Sequence, residues 1–161
     1  RHAPSAAWTG TYANLIVSRT FSKAYGLAAL RVGYGIMNAA VAGMLNRVRQ
    51  PFNVNALAQA AALAALADTG YVEESRALNR AGMRELEDGA RALGLPFIPS
   101  HGNFLLIRVG DADRAYRRLL ASGVIVRPVA NYGLPEFLRV TVGLPAENHR
   151  FLDALQSVLA G

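Results

Sequence analysis

The chain has 161 residues, of which 52% are hydrophobic, carries a net charge of +6 and has no cysteine. That length and apolar content suffice for a folded domain with a real core, and they argue against a disordered chain; the lack of cysteine excludes disulfides and thiolate metal sites. The basic balance raises nucleic acid as a partner. The arginines are scattered rather than gathered in one block, so the charge is read as suited to anionic small molecules, and no nucleic acid is assigned.

No signal-peptide pattern opens the chain, and residues 1–13, with Pro4, Gly10 and small polar residues, read as a loop. Leu15-Ile16-Val17 is a short apolar run that predicts a buried strand. It leads into Ser18–Tyr34, S-R-T-F-S-K-A-Y-G-L-A-A-L-R-V-G-Y, centred on Lys23, the only lysine beside sixteen arginines. Val32 to Ile36 predicts a second strand, with Gly33 and Gly35 at points of close approach. Asn38 is placed to cap a helix over 39–49, which Pro51 ends, and Asn55 to cap an alanine-rich helix running to about Ala67. This longest apolar stretch contains Gln59 and predicts a buried helix. No run approaches a membrane span, so no membrane is assigned and a cytoplasmic location is the default expectation.

Asp68-Thr69-Gly70 reads as the close of that helix. From Tyr71 to about Leu93, Val72, Leu78, Met83, Leu86 and Ala90 form a helical stripe, with Gly94 as C-cap and Pro96 beyond it. A composition change follows. Phe104–Val109 predicts a strand and 111–121 a helix with Tyr116, Leu119 and Leu120 inward. Val124–Arg127 and Phe137–Val142 predict two more strands, and Pro145 starts a last helix through Phe151, Leu152, Leu155 and Val158. The expected organisation is α/β, with one lobe over 1–70, a connecting helix over 71–95 and a small α/β lobe over 96–161.

The chemistry gathers around Lys23. A lysine amine attacks a carbonyl to form a Schiff base when part of it is neutral, which a nearby cation or partial burial promotes. Thr20, Ser22 and Arg31 supply hydroxyls and a guanidinium, whose planar fork matches phosphate oxygens. Two further arginines stand in apolar runs: Arg127 after Val124-Ile125-Val126, and Arg139 between Leu138 and Val140. Such a charge is costly unless paired. Each reads either as an ion pair or edge position, or as a binder of an anionic group. His2, His101 and His149 have no metal-ligand spacing, and no metal is assigned.

The Thr20–Tyr34 string resembles the cofactor-lysine segment of the class I/II aminotransferases, the fold-type I enzymes that use pyridoxal 5′-phosphate (PLP). Within them it looks most like the histidinol-phosphate group. The resemblance implies that Lys23 is the Schiff-base lysine and catalytic residue, with Thr20, Ser22 and Arg31 on the cofactor phosphate. The segment Leu138–Gly143 resembles the family's L-R-V-T-V-G segment, which implies that Arg139, together with Arg127, binds the substrate phosphate. Implied substrates are a phosphorylated amino alcohol and 2-oxoglutarate, and the implied assembly is a homodimer. Aromatic or aspartate aminotransferases and threonine-phosphate decarboxylases are the alternatives within the fold. A non-catalytic basic binding domain is the alternative outside it.

The resemblance covers almost all of this chain, whereas the chain corresponds only to the C-terminal part of such enzymes. The aspartate that pairs with the cofactor's ring nitrogen would fall before residue 1. The 161 residues alone are therefore expected to be a poor aminotransferase.

Overall fold

The computed structural model describes residues 5–160; residues 1–4, which include His2, and Gly161 lie outside the described residues. Helix α1 (Ser5–Trp8) is a single turn inside the stretch expected as a loop. The described chain divides into two compact units, the first ending at Glu74 and the second beginning at Ser75.

In the first unit, β1 (Ile16–Thr20) and β2 (Gly33–Met37) form an antiparallel ribbon, with Ile16 opposite Met37 and Thr20 opposite Gly33. The pleat turns alternate side chains to opposite faces. Val17 is buried while Ile16 stays 48% exposed, so the expected buried strand is covered on one face only. Helices α2 (Ala39–Val48) and α3 (Ala56–Ala67) start where the asparagines predict. Asn38 Oδ1 accepts from the Ala40 N–H at 2.9 Å, and Asn55 Oδ1 from the Ala58 N–H at 2.8 Å, satisfying donors that a helix start leaves free.

Phe21, Val32, Ala58 and Ala62 make the core of this unit. The expectation of a buried α3 fails, because Leu57 is 77% and Leu63 71% exposed. A helix apolar all round needs partners all round. Here only the Ala58–Ala62 face meets the core.

Helix α4 (Thr69–Ala92) follows without a loop. Asp68 is the C-cap of α3, and its carboxylate also accepts from the Tyr71 N–H at 3.0 Å. The residues expected to close one helix therefore also open the next. At the far end the Leu95 N–H bonds Ala90 O at 2.9 Å and the Gly94 N–H bonds Arg91 O at 3.0 Å, with Gly94 at φ 68°. This is the Schellman arrangement, and its left-handed position suits the predicted glycine.

The second unit carries β3 (Phe97–Ile98), β4 (Phe104–Arg108), α5 (Ala112–Ala121), β5 (Arg127–Val129), β6 (Leu134–Thr141) and α6 (Pro145–Ala160). Its sheet has the order β3-β4-β6-β5 with every neighbouring pair antiparallel. Leu105, Ile107, Leu138 and Val140 line one face and pack with Leu86, Leu119, Phe151 and Leu155. A fully buried side chain of this size contributes roughly 2 kcal/mol, so this unit holds most of the hydrophobic stabilisation.

On α5 the inward residues are Ala112, Ala115 and Leu119, whereas Leu120, expected inward, is 44% exposed. The 112–115–119 stripe sets the buried face, and the next residue lies about 100° round the helix. Arg117 pairs with Asp113 in solvent, but Arg118 Nη1 donates to Val158 O at 2.9 Å and ties α5 to α6. Val124 and Val126 are buried around the exposed Ile125, yet strand pairing begins only at Arg127.

Candidate functional site

The loop between β1 and β2 is a set of nested closures. The Phe21 N–H bonds Val32 O at 3.2 Å and carries the ladder one step beyond Thr20–Gly33. Inside it the Leu27 N–H bonds Phe21 O at 3.0 Å, and inside that the Gly26 N–H bonds Lys23 O at 2.9 Å. Gly26 has φ 68°, a left-handed position, and a Cβ there would stand 2.9 Å from the Tyr71 hydroxyl oxygen. Only glycine meets both demands without strain.

Sequence explains the anchoring. Phe21 is buried and its ring lies 4.8 Å from that of Tyr25 and 5.9 Å from that of Tyr34, within the range of aromatic pairing. This cluster fixes the root of the loop while its neighbours stay accessible: Ser22 is half-buried, and Thr20, Lys23 and Arg31 are exposed.

The four predicted side chains therefore share one short loop. Thr20 Oγ1 accepts from the Ser22 N–H at 3.0 Å, which leaves the Thr20 hydroxyl hydrogen free to donate outward. Arg31 holds φ 53°, ψ 46° and one guanidinium nitrogen on Ala28 O at 2.9 Å, leaving its other N–H groups available. Among the described residues, the Lys23 amine has neither a hydrogen bond nor an ion pair. Two hydroxyls, a guanidinium and a free amine are groups able to bind an anion and to react with a carbonyl.

The second unit brings the other two arginines together. Arg127 on β5 stands directly opposite Arg139 on β6, and opposed residues of neighbouring strands share a face. That face is the one turned away from Leu138 and Val140. The Arg139 guanidinium lies over the Phe104 ring, 4.5 Å from its centroid. No carboxylate pairs with either arginine among the described residues. Like charges directly opposed cost stability, so the ion-pair reading is set aside and an anion would relieve the repulsion.

Sequence reasoning missed Phe104 and Tyr71. Phe104 faces Arg139 diagonally across the β4–β6 register, which no single-strand pattern shows. Tyr25 packs on Phe21, and Tyr132 is exposed on a short turn of the second unit. The Asn103 carbonyl accepts from the Val142 N–H at 2.9 Å, a structural tie. Among the described residues no cluster of His, Asp or Glu is arranged to hold a metal, and no helix is long and apolar enough to cross a membrane.

Residues 2–155 match the family model described as aminotransferase class I and II. The chain belongs to this family. Among its curated relatives, a histidinol-phosphate aminotransferase of Pseudomonas fluorescens is 66% identical over 92% of this chain and 40% of its own length. The chain thus spans about two-fifths of the length of the curated relatives it matches. The solved histidinol-phosphate aminotransferase of Sinorhizobium meliloti, in complex with PLP, has a TM-score of 0.81 and 34% identity, over 92% of this chain and 42% of that one. The solved L-threonine-O-3-phosphate decarboxylase of Porphyromonas gingivalis has a TM-score of 0.83 and 28% identity, over 97% of this chain and 50% of that one. In this class I and II aminotransferase chain, Lys23 lies with Thr20, Ser22 and Arg31 on one stretch of the first unit, and Arg127 and Arg139 lie on one strand pair of the second.

Proposed function

We propose that this chain is the C-terminal part of a histidinol-phosphate aminotransferase, a PLP enzyme that moves the amino group of L-histidinol phosphate to 2-oxoglutarate in histidine biosynthesis. The reading is of a cytoplasmic protein, homodimeric at full length. Residues 1–70 belong to the large cofactor-binding domain, 71–95 to a connecting helix and 96–161 to the small domain. The observation that carries the reading is the unpaired Lys23 amine in a loop that also presents Thr20, Ser22 and Arg31.

The donor set of that loop fits PLP. Lys23 would hold the cofactor covalently, and Thr20, Ser22 and Arg31 would hold its phosphate. When bound, the cofactor supplies an electron sink for the carbanion left by loss of a substrate proton. Lys23 Nζ would serve as the base that takes that proton from the substrate carbon and as the acid that returns it. Arg127 and Arg139 bind the substrate phosphate with charge-assisted bonds. The arginine pair suits a phosphorylated amino acid equally, so a threonine-phosphate decarboxylase is the second reading.

The test is the intact mass of the chain after incubation with PLP and borohydride reduction. One cofactor adduct on the wild type and none on Lys23→Ala is the expected result. An adduct that survives in the variant removes the assignment. Turnover of histidinol phosphate rather than threonine phosphate by the longer enzyme separates the two substrate readings.

A further inference from the structure

Arg139 is held as well as exposed to an anion, and what holds it extends through three more residues of the second unit. Its guanidinium stacks on Phe104 at 4.5 Å. Stacking uses the face of the planar cation and leaves its edge N–H groups free to donate. Phe104 is therefore no competitor of an anion for Arg139; it fixes the plane in which the anion is met.

The ring is positioned in turn. A Cβ at Gly102 would stand 3.7 Å from Phe104 Cε1, so the backbone of residue 102 walls one edge of the ring. Gly102 is pinned from both sides: its N–H bonds Ser100 Oγ at 3.0 Å, and its carbonyl accepts from Asn79 Nδ2 on α4 at 3.0 Å. Across the strand, the Val142 N–H on Asn103 O keeps the end of β6 against the start of β4. Leu106, directly opposite Arg139 on β4, presents an apolar neighbour on the same face. Arg127 completes the surround with a second positive charge.

We infer that Phe104 is a positioning residue for Arg139 and that Asn79, through Gly102, sets the ring. Together they pre-orient the guanidinium toward a phosphate monoester bound between Arg139 and Arg127. This rests on the anion-binding role given to that pair under the proposed function. Pre-orientation raises affinity because less side-chain freedom remains to be lost on binding. A cation–π contact between two half-buried groups such as these supports at least a roughly two- to fivefold effect on affinity.

The experiment uses the 161-residue chain, with the arginine side-chain Nε–Hε resonances followed by NMR during titration with inorganic phosphate at constant ionic strength. In the wild type, the Arg139 resonance is expected to carry a ring-current shift and to move saturably with phosphate. Phe104→Leu should abolish the ring-current shift and weaken phosphate roughly two- to fivefold. Phe104→Tyr, which keeps the ring, should restore both, and this rescue separates positioning from a packing defect. Asn79→Ala should reduce the ring-current shift and weaken phosphate in the same direction.

Unchanged phosphate affinity in Phe104→Leu, in a chain where Arg139→Gln abolishes binding, overturns the positioning role and leaves the anion site standing. Unchanged affinity in Arg139→Gln overturns the anion site, and the positioning role with it.

Discussion

Arg31 shows what a single residue gives up for its place in the loop. It sits at φ 53°, in the left-handed region that a side chain with a Cβ enters at a cost of about 1 kcal/mol or more. Strain of this kind persists where surrounding structure enforces it and is concentrated at functional sites. Arg31→Gly would relieve the backbone but add flexibility to the unfolded chain, worth about 0.5–1 kcal/mol in the other direction. The two nearly cancel. We therefore expect the melting temperature of Arg31→Gly to stay within a degree or two (roughly, for a change of this size) while capture of PLP phosphate falls clearly. A variant that loses stability and capture in parallel would make Arg31 a structural residue. The Lys23 loop was legible in sequence because its residues lie within a few positions of one another. The strained backbone at Arg31 was not, since arginine is no usual marker of that conformation.

Among the elements, α6 is tied to α4 by a polar junction that no periodicity announced. Asn148 is 2% exposed, its Oδ1 accepts from the Gly143 N–H at 2.9 Å, and its Nδ2 donates to Glu85 Oε2 at 2.9 Å. Glu85 Oε1 also lies 2.7 Å from Nε2 of the exposed His149. Removing Asn148 leaves a carboxylate oxygen and a backbone donor without their partner, a loss of roughly 1–3 kcal/mol. The pair of His149 with Glu85, in which the imidazole is exposed and the carboxylate half-buried, contributes about 1 kcal/mol. Urea unfolding should show Asn148→Leu well below His149→Ala in midpoint, with an unchanged slope. Equal midpoints would mean that the junction carries little of the stability. The helix caps at Asn38, Asn55 and Gly94 were readable because each acts within its own few residues. The opposition of Arg127 and Arg139 was not. It depends on the β5–β6 register, which shifts at Pro128/Val129.

Over the whole molecule, the two units differ in how much they enclose. The first has Phe21, Val32, Ala58 and Ala62 as its buried cluster, while Phe52 is 96%, Val48 77% and Leu57 77% exposed. Large exposed apolar area and the open edges of a two-stranded ribbon leave this unit with less buried surface to hold it closed. The sequence showed α3 to be apolar on every side, but not that the Ala58–Ala62 face alone would meet the core. Local opening follows local burial. Amide exchange should therefore run at least about tenfold faster in β1 and β2 than in β4 and β6. Uniform protection across the four strands would show the first unit to be as stable as the second.

The nested closures at Lys23 also constrain how this stretch of a gene can change. Ala24, Ala28 and Ala29 are exposed, and exchanges there leave every closure intact. One codon inserted between Phe21 and Leu27 is a different matter, because the Phe21–Leu27 bond surrounds the Lys23–Gly26 bond. A longer segment opens one or both, and the amine no longer points from a turn of fixed size. This loop can vary in letter, and scarcely in length.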